Sequence, residues 1–231
     1  MESTFFANFA MLHRWVTHTR YWGPNTIVSA STDRAIALWD ARVKRSPLFV
    51  LRYHKSPISD LLVGSRTDPL MVSAGADGTV ATWDFRTLSG ANANEAQATP
   101  VHANGDQDEE QKVQSKAIRT PAATMTHCAE GKSTKQSGPV LLSRGPGLQT
   151  RTVLSVGVNA VAREWDIATG QMKRSEPTGH CDVVSCMHTF VDNSLGTSSG
   201  VEPNDGSSSN FGGTITSSWD GTIRMRKLVR R

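Results

Sequence analysis

Four groups of residues have types and spacings that could do chemistry. His180-Cys181 followed by Cys186 and His188 offers the nitrogen and sulfur donors of a zinc centre. These residues read as part of a first strand, where neighbouring side chains leave on opposite faces, so no metal is expected. Gly131-Lys132-Ser133-Thr134 ends like a phosphate-binding loop, but Thr126 stands where the first glycine belongs and no strand–loop–helix pattern surrounds it. Ser, His and Asp are plentiful, yet none sits in a G-x-S-x-G elbow. The basic run 224–231 (RMRKLVRR) could meet nucleic acid, but part of it is an alternating strand, and a solvated edge is the simpler reading. No catalytic constellation and no cofactor is expected, so the chain reads as a non-enzyme.

The elements that hold these residues must come from a modest core. The chain has 231 residues, 37% hydrophobic and 20% charged, with a formal net charge of +4. Arg224, Arg226, Lys227, Arg230 and Arg231 crowd one end, and Asp106, Asp108, Glu109 and Glu110 form an acidic patch. The three cysteines, Cys128, Cys181 and Cys186, are odd in number and irregularly spaced, which implies no disulfide framework and fits the cytoplasm or nucleus. No apolar run approaches the roughly 18 residues of a membrane span, so no membrane partner is expected. The leading MESTFFANFAMLHRW lacks the basic start and cleavage site of a signal peptide.

The strongest signal is repetition. Residues 27–40 (IVSASTDRAIALWD), 71–84 (MVSAGADGTVATWD), 153–166 (VLSVGVNAVAREWD) and 214–227 (TITSSWDGTIRMRK) share one pattern. Each alternates apolar and polar positions, passes through small residues into a turn, and resumes alternation, as a β-hairpin does. The first two start 44 residues apart, within the period of about 40–45 for one propeller blade.

These segments resemble WD repeats. The resemblance implies an all-β propeller of about four blades, each pinned by a His–Ser–Asp–Trp hydrogen-bond relay. In the second repeat it assigns His54, Ser73, Asp77 and Trp83. In the first it assigns Ser29, Asp33 and Trp39, with Leu12 at the histidine place and His13 one residue off. In the third it assigns Ser155 and Trp165, with Asn159 in place of Asp and Gln136 near the histidine place. In the fourth it assigns His180, Thr216 and Asp220, with Arg226 where Trp belongs. Trp219-Asp220 is thus a decoy, because this Asp lies in the turn. A buried turn carboxylate needs donors, and a ring and a hydroxyl supply them. Blades one, three and four are expected to be softer than blade two.

Along the chain, an N-terminal segment (1–14) precedes blades one and two (15–87), an insertion follows (88–137), and blades three and four occupy 138–231. Blade one's outer strand is expected at Leu48–Leu51 and the fourth strand of blade two at Ala122–Thr126. Blade three is expected over Pro139–Ser175. Residues 88–120 and 193–213 read as disordered or flexible from their composition. Four hairpins are expected to be the C-terminal half of a larger propeller, not a closed ring.

Three residues point to partners. Trp39-Asp-Ala-Arg42 and Trp83-Asp-Phe-Arg86 both read WDxR, similar to substrate receptors of cullin-4 ubiquitin ligases, whose arginines contact the ligase adaptor. Trp219 is expected on the top surface as an interface anchor. Residues 54–86 also resemble F-box/WD-repeat proteins of plants. The resemblance implies a non-catalytic interaction module, most concretely a ubiquitin-ligase receptor binding adaptor and substrate. The alternative is a general scaffold in RNA processing, trafficking or chromatin.

Overall fold

The computed structural model describes residues 15–42, 47–64, 68–86, 117–118, 120–127, 138–144, 151–192 and 211–228. They form four sheets, each built on an antiparallel meander. Blade one contains β1 (Val16–Tyr21), β2 (Thr26–Ser31), β3 (Ala35–Asp40) and β4 (Phe49–Arg52). Blade two contains β5 (Ile58–Val63), β6 (Leu70–Gly75), β7 (Thr79–Asp84) and, after a long excursion, β9 (Ala123–Thr126). Blade three runs β10 (Leu141–Arg144), β11 (Thr152–Val156), β12 (Val161–Asp166) and β13 (Met172–Pro177). Blade four has β14 (Val184–Asp192), β15 (Phe211–Ser218) and β16 (Ile223–Leu228) among the described residues.

The period-two pattern explains how the blades stack. Successive side chains leave opposite faces of a strand, so one face of each middle strand reaches forward and the other back. Val28, Ala30, Ile36 and Leu38 of blade one pack forward on Ile58, Leu61, Met71 and Trp83 of blade two. Val72, Ala74 and Val80 of blade two meet Val140, Leu142, Val153 and Trp165 of blade three. A smaller cluster, Leu154, Val156 and Ala160 with Val184 and Met187, joins blades three and four. Each fully buried Val, Leu, Ile or Met in these seams contributes roughly 1.5–3 kcal/mol. The inner strands β1, β5, β10 and β14 touch in that order around the axis.

Polar ties cross the same seams. Asp60 on β5 accepts from the Leu142 amide of β10 at 2.8 Å, and His18 on β1 lies 3.5 Å from its other oxygen. Ser59 Oγ donates to Val140 O at 2.9 Å, and Ser143 meets Thr189 at 3.0 Å. One buried carboxylate thereby links three blades.

Several expectations need correction. The outer strand of blade one is Phe49–Arg52, not Leu48–Leu51. Blade three extends to Pro177, beyond Ser175. Within 88–120, Ala117–Ile118 form β8, which adds in parallel to β4 and gives blade one a fifth strand. Two residues carry no periodicity, whereas the open backbone edge of β4 offers a ladder to any extended segment that reaches it. Within 193–213, Phe211–Gly213 already belong to β15. Its glycines are admitted by crowding: a side-chain carbon at Gly213 would stand 2.5 Å from the Phe190 ring. Residues 1–14, including Leu12 and His13, lie outside the described residues, as does Gln136.

Candidate functional site

The turn between the second and third strands of each blade organises the buried polar groups. In blade two Asp77 accepts from the Thr79 amide at 3.0 Å, the Thr79 hydroxyl at 2.5 Å and the Lys55 amide at 2.6 Å. Burial opposes its ionisation, but these bonds and His54 win, and its carboxyl is held well below the usual range. The Thr79 hydroxyl spends its proton on that carboxylate, so it must accept from His54 Nδ1, 2.8 Å away. Its Nε2 lies 2.8 Å from the Ser73 hydroxyl, which accepts from the Trp83 indole at 2.9 Å. The contacts form one continuous chain from Trp83 through Ser73, His54 and Thr79 to Asp77. His54 Nδ1 stands 3.7 Å from Asp77, so the link passes chiefly through Thr79.

Blade four repeats the arrangement without its indole. Thr222 and the Cys181 amide donate to Asp220, which is held below its ordinary range chiefly by the Thr222 hydroxyl. His180 Nδ1 lies 3.0 Å from Thr222 and 3.1 Å from Asp220, and its Nε2 lies 2.9 Å from Thr216. Arg226 turns away to blade three, reaching Glu176 at 2.5 Å and the Pro177 carbonyl at 3.3 Å. The threonine two places after the turn Asp is a relay member that the sequence reading missed. Its signal was present as Asp-Gly-Thr at 77–79 and 220–222.

Blade three differs most from expectation. His127, from the end of β9, enters the place left to Gln136. Its Nδ1 lies 2.9 Å from Ser155, which also accepts from Trp165 at 2.7 Å. The Gly157 amide and the Arg163 guanidinium both approach Nε2, at 3.0 and 2.7 Å. Two donors on Nε2 leave the ring proton on Nδ1. The ring is therefore turned relative to His54 and His180, which face their hydroxyl partners with Nε2. Burial first and the Arg163 charge second lower its pKa to about 4. Asn159 Oδ1, at 3.4 Å, adds little. His127 escaped notice because it stands 32 residues before Asn159, outside the usual spacing.

Blade one keeps only part of the set. Trp39 donates to Ser29 at 2.8 Å, and Asp33 accepts from the Ala35 amide at 2.9 Å. No histidine joins them among the described residues. Arg34 (φ 73°) and Ala160 (φ 54°) occupy the left-handed turn position that glycine holds in blades two and four, at Gly78 (φ 80°) and Gly221 (φ 78°).

The rim arginines form a matched pair. Arg42 clasps Asp40 through Nε at 3.0 Å and Nη2 at 2.7 Å. Arg86 clasps Asp84 through Nε at 3.1 Å and Nη2 at 2.7 Å. The Arg42 fork holds the Asp40 carboxyl at about 2, and the Arg86 fork lowers Asp84 likewise. Both arginines follow a third strand, so both lie at the same end of adjacent blades and are largely exposed. Phe85, next to Arg86 in sequence, is buried and stacks on Trp22 of blade one, with ring centroids 4.0 Å apart. Trp219 follows β15 and is 74% exposed.

His180 and Cys181 precede β14 instead of lying on it, while Cys186 and His188 share one exposed face. Among the described residues no three His, Cys, Asp or Glu side chains group as a metal site. No helix among them is long and apolar enough to cross a membrane.

Comparison with known proteins agrees with this architecture. Residues 45–84 match the family model "WD domain, G-beta repeat". The chain is 23% identical over 181 residues to "Ribosome biogenesis protein YTM1" of Candida albicans, covering 72% of this chain and 36% of that protein's length. In fold it resembles the computationally designed Ika4 protein (TM-score 0.57, 19% identity, covering 98% of this chain and 99% of that one). It also resembles the designed Ika8 protein (TM-score 0.52, 19% identity, covering 92% and 46%). The likeness to plant F-box proteins finds no counterpart in these relatives.

Proposed function

We propose that this chain, a β-propeller of the WD-repeat type, is a non-catalytic scaffold that docks protein partners during assembly of a protein–RNA particle of the ribosomal kind, in the nucleus or cytoplasm. The observation that carries the docking role is the pair of Asp–Arg forks at Arg42 and Arg86. Each guanidinium, planar by its own resonance, is oriented by the carboxylate two residues before it, so little rotamer entropy is lost when a partner binds. Blade packing fixes the spacing of the two forks, and Trp219 supplies an exposed aromatic anchor elsewhere on the surface. The likeness to a ribosome biogenesis protein favours this setting over a ligase. The chain spans about a third of that relative, so the assignment concerns the repeat unit.

A ubiquitin-ligase receptor is the second reading, favoured by the two WDxR motifs. Affinity capture of the tagged chain from cells, read by quantitative mass spectrometry, separates the two. Ribosome-assembly factors lost on Arg42→Glu/Arg86→Glu support the scaffold reading. Cullin-4 adaptor subunits lost on the same variant support the ligase. Capture unchanged by the double variant sinks the rim as the docking surface.

A further inference from the structure

We propose that the slot between blades three and four, where blade four lacks its indole, is a binding site for a purine nucleotide. Blades two and three fill the equivalent place with Trp83 and Trp165, each packed against the blade before it. Their indoles donate to Ser73 at 2.9 Å and to Ser155 at 2.7 Å. Strand register puts Arg226 in that place, opposite Thr214 as Trp83 is opposite Met71. Its side chain leaves for Glu176 and the Pro177 carbonyl, and a groove of about 380 Å³ remains between the two blades. That volume lies within the roughly 300–1,000 Å³ of small-molecule sites.

The lining specifies both halves of the ligand. Thr216 Oγ1 lies 2.9 Å from His180 Nε2 but receives no indole N–H, so it offers a ligand the acceptor that Ser73 and Ser155 give to their tryptophans. A purine shares the fused five- and six-membered rings of an indole and carries N–H donors on its edge. Ala162, Pro177 and Met187 supply apolar walls for its faces. Arg224 supplies the charge. It stands opposite Thr216 as Arg163 stands opposite Ser155. Arg163 is buried and reaches His127 at 2.7 Å, whereas Arg224 is exposed and has no ion-pair partner among the described residues. Gly179, at φ 85°, leaves room for it: a side-chain carbon there would stand 2.9 Å from Arg224 Nη1. Arg174 and Arg226 share Glu176, which leaves the Arg224 guanidinium for a phosphate. Forked, charge-assisted hydrogen bonds to phosphate are what that planar group makes best. This inference does not rest on the ribosome-assembly reading, because a free nucleotide would fill the slot as well as one unstacked nucleotide of an RNA strand.

The experiment is isothermal titration calorimetry of the whole chain with adenosine, guanosine and uridine monophosphates. Saturable binding of a purine monophosphate is expected, with at least about tenfold weakening for uridine monophosphate, for the purine nucleoside without phosphate, and for Arg224→Ala. Two further variants lose the same charge but differ in the space they leave. Arg226→Trp fills the slot with the missing indole and should abolish binding, whereas Arg226→Ala keeps the slot open and should retain it. Far-UV circular dichroism confirms that each variant is folded. A purine-only RNA octamer that binds more tightly than the mononucleotide, and is displaced by it, names RNA as the source; an octamer that does not compete names the free nucleotide. No binding of either purine monophosphate, equal binding of uridine monophosphate, indifference to Arg224→Ala, or equal affinities of the two Arg226 variants would overturn the proposal.

Discussion

His127 and Ser155 meet at 2.9 Å through Nδ1, whereas His54 meets Ser73 at 2.8 Å through Nε2. Two blades of one chain thus tie the same kind of hydroxyl to a histidine ring turned opposite ways. The cause is local. A turn carboxylate with its threonine draws the proton to Nδ1 on the turn side in blade two. Gly157 and Arg163 donate to Nε2 in blade three and drive the proton to the serine side.

Replacing His127 tests whether it is the pin of blade three. His127→Ala removes the acceptor of the buried Gly157 amide and one contact of Arg163 and should cost about 1–3 kcal/mol, read by urea denaturation. A loss below a few tenths would assign the pinning of this blade to Trp165 and Ser155 alone.

The same ring sets a pH dependence. Its pKa falls from 6.5 to about 4 on folding. As the pH drops below 6.5, the unfolded chain takes up a proton that the folded ring refuses, so stability contributed by the neutral ring is lost progressively until about pH 4. NMR titration should find His127 neutral at pH 5, and Arg163→Met should move its pKa upward by removing the second of the two causes.

Ser73→Ala strips hydrogen bonds from both His54 and Trp83 and should cost about 1–3 kcal/mol. Ser29→Ala in blade one should cost less, because no histidine shares that hydroxyl among the described residues. Thermal melts of the two variants give the order directly; equal losses would deny His54 its part.

Arg34 holds a left-handed turn at φ 73° with its side chain exposed. Arg34→Gly removes that strain and should stabilise the chain by up to about 1 kcal/mol. A lower melting temperature would show that the arginine side chain makes a compensating contact.

Arg42→Glu/Arg86→Glu should leave the melting temperature almost unchanged, since both forks are exposed to solvent and salt. Retained stability with lost partner capture is the expected pairing; a large fall in melting temperature would make the forks structural.

The sequence by itself determined the blades. Alternation of period two, Asp or Asn in the turns, and Trp six residues beyond the turn residue depend only on neighbours along the chain. They located the middle strands, and the resemblance to WD repeats assigned the relay members His54, Ser73, Asp77 and Trp83. Even the late fourth strand of blade two lay within one residue of its expected start. What depends on contacts between distant segments was decided by the tertiary structure alone. His127 reaches Ser155 because β9 ends at the seam between blades two and three, and no spacing along the chain encodes that seam. Asp60 gathers His18 and Leu142 because inner strands converge on one axis. The aspartate of each WDxR motif was read as part of a pattern, but that it clasps the arginine two places on follows from the turn the backbone takes after the third strand. Periodicity reports which face a residue occupies; only packing reports what stands opposite it.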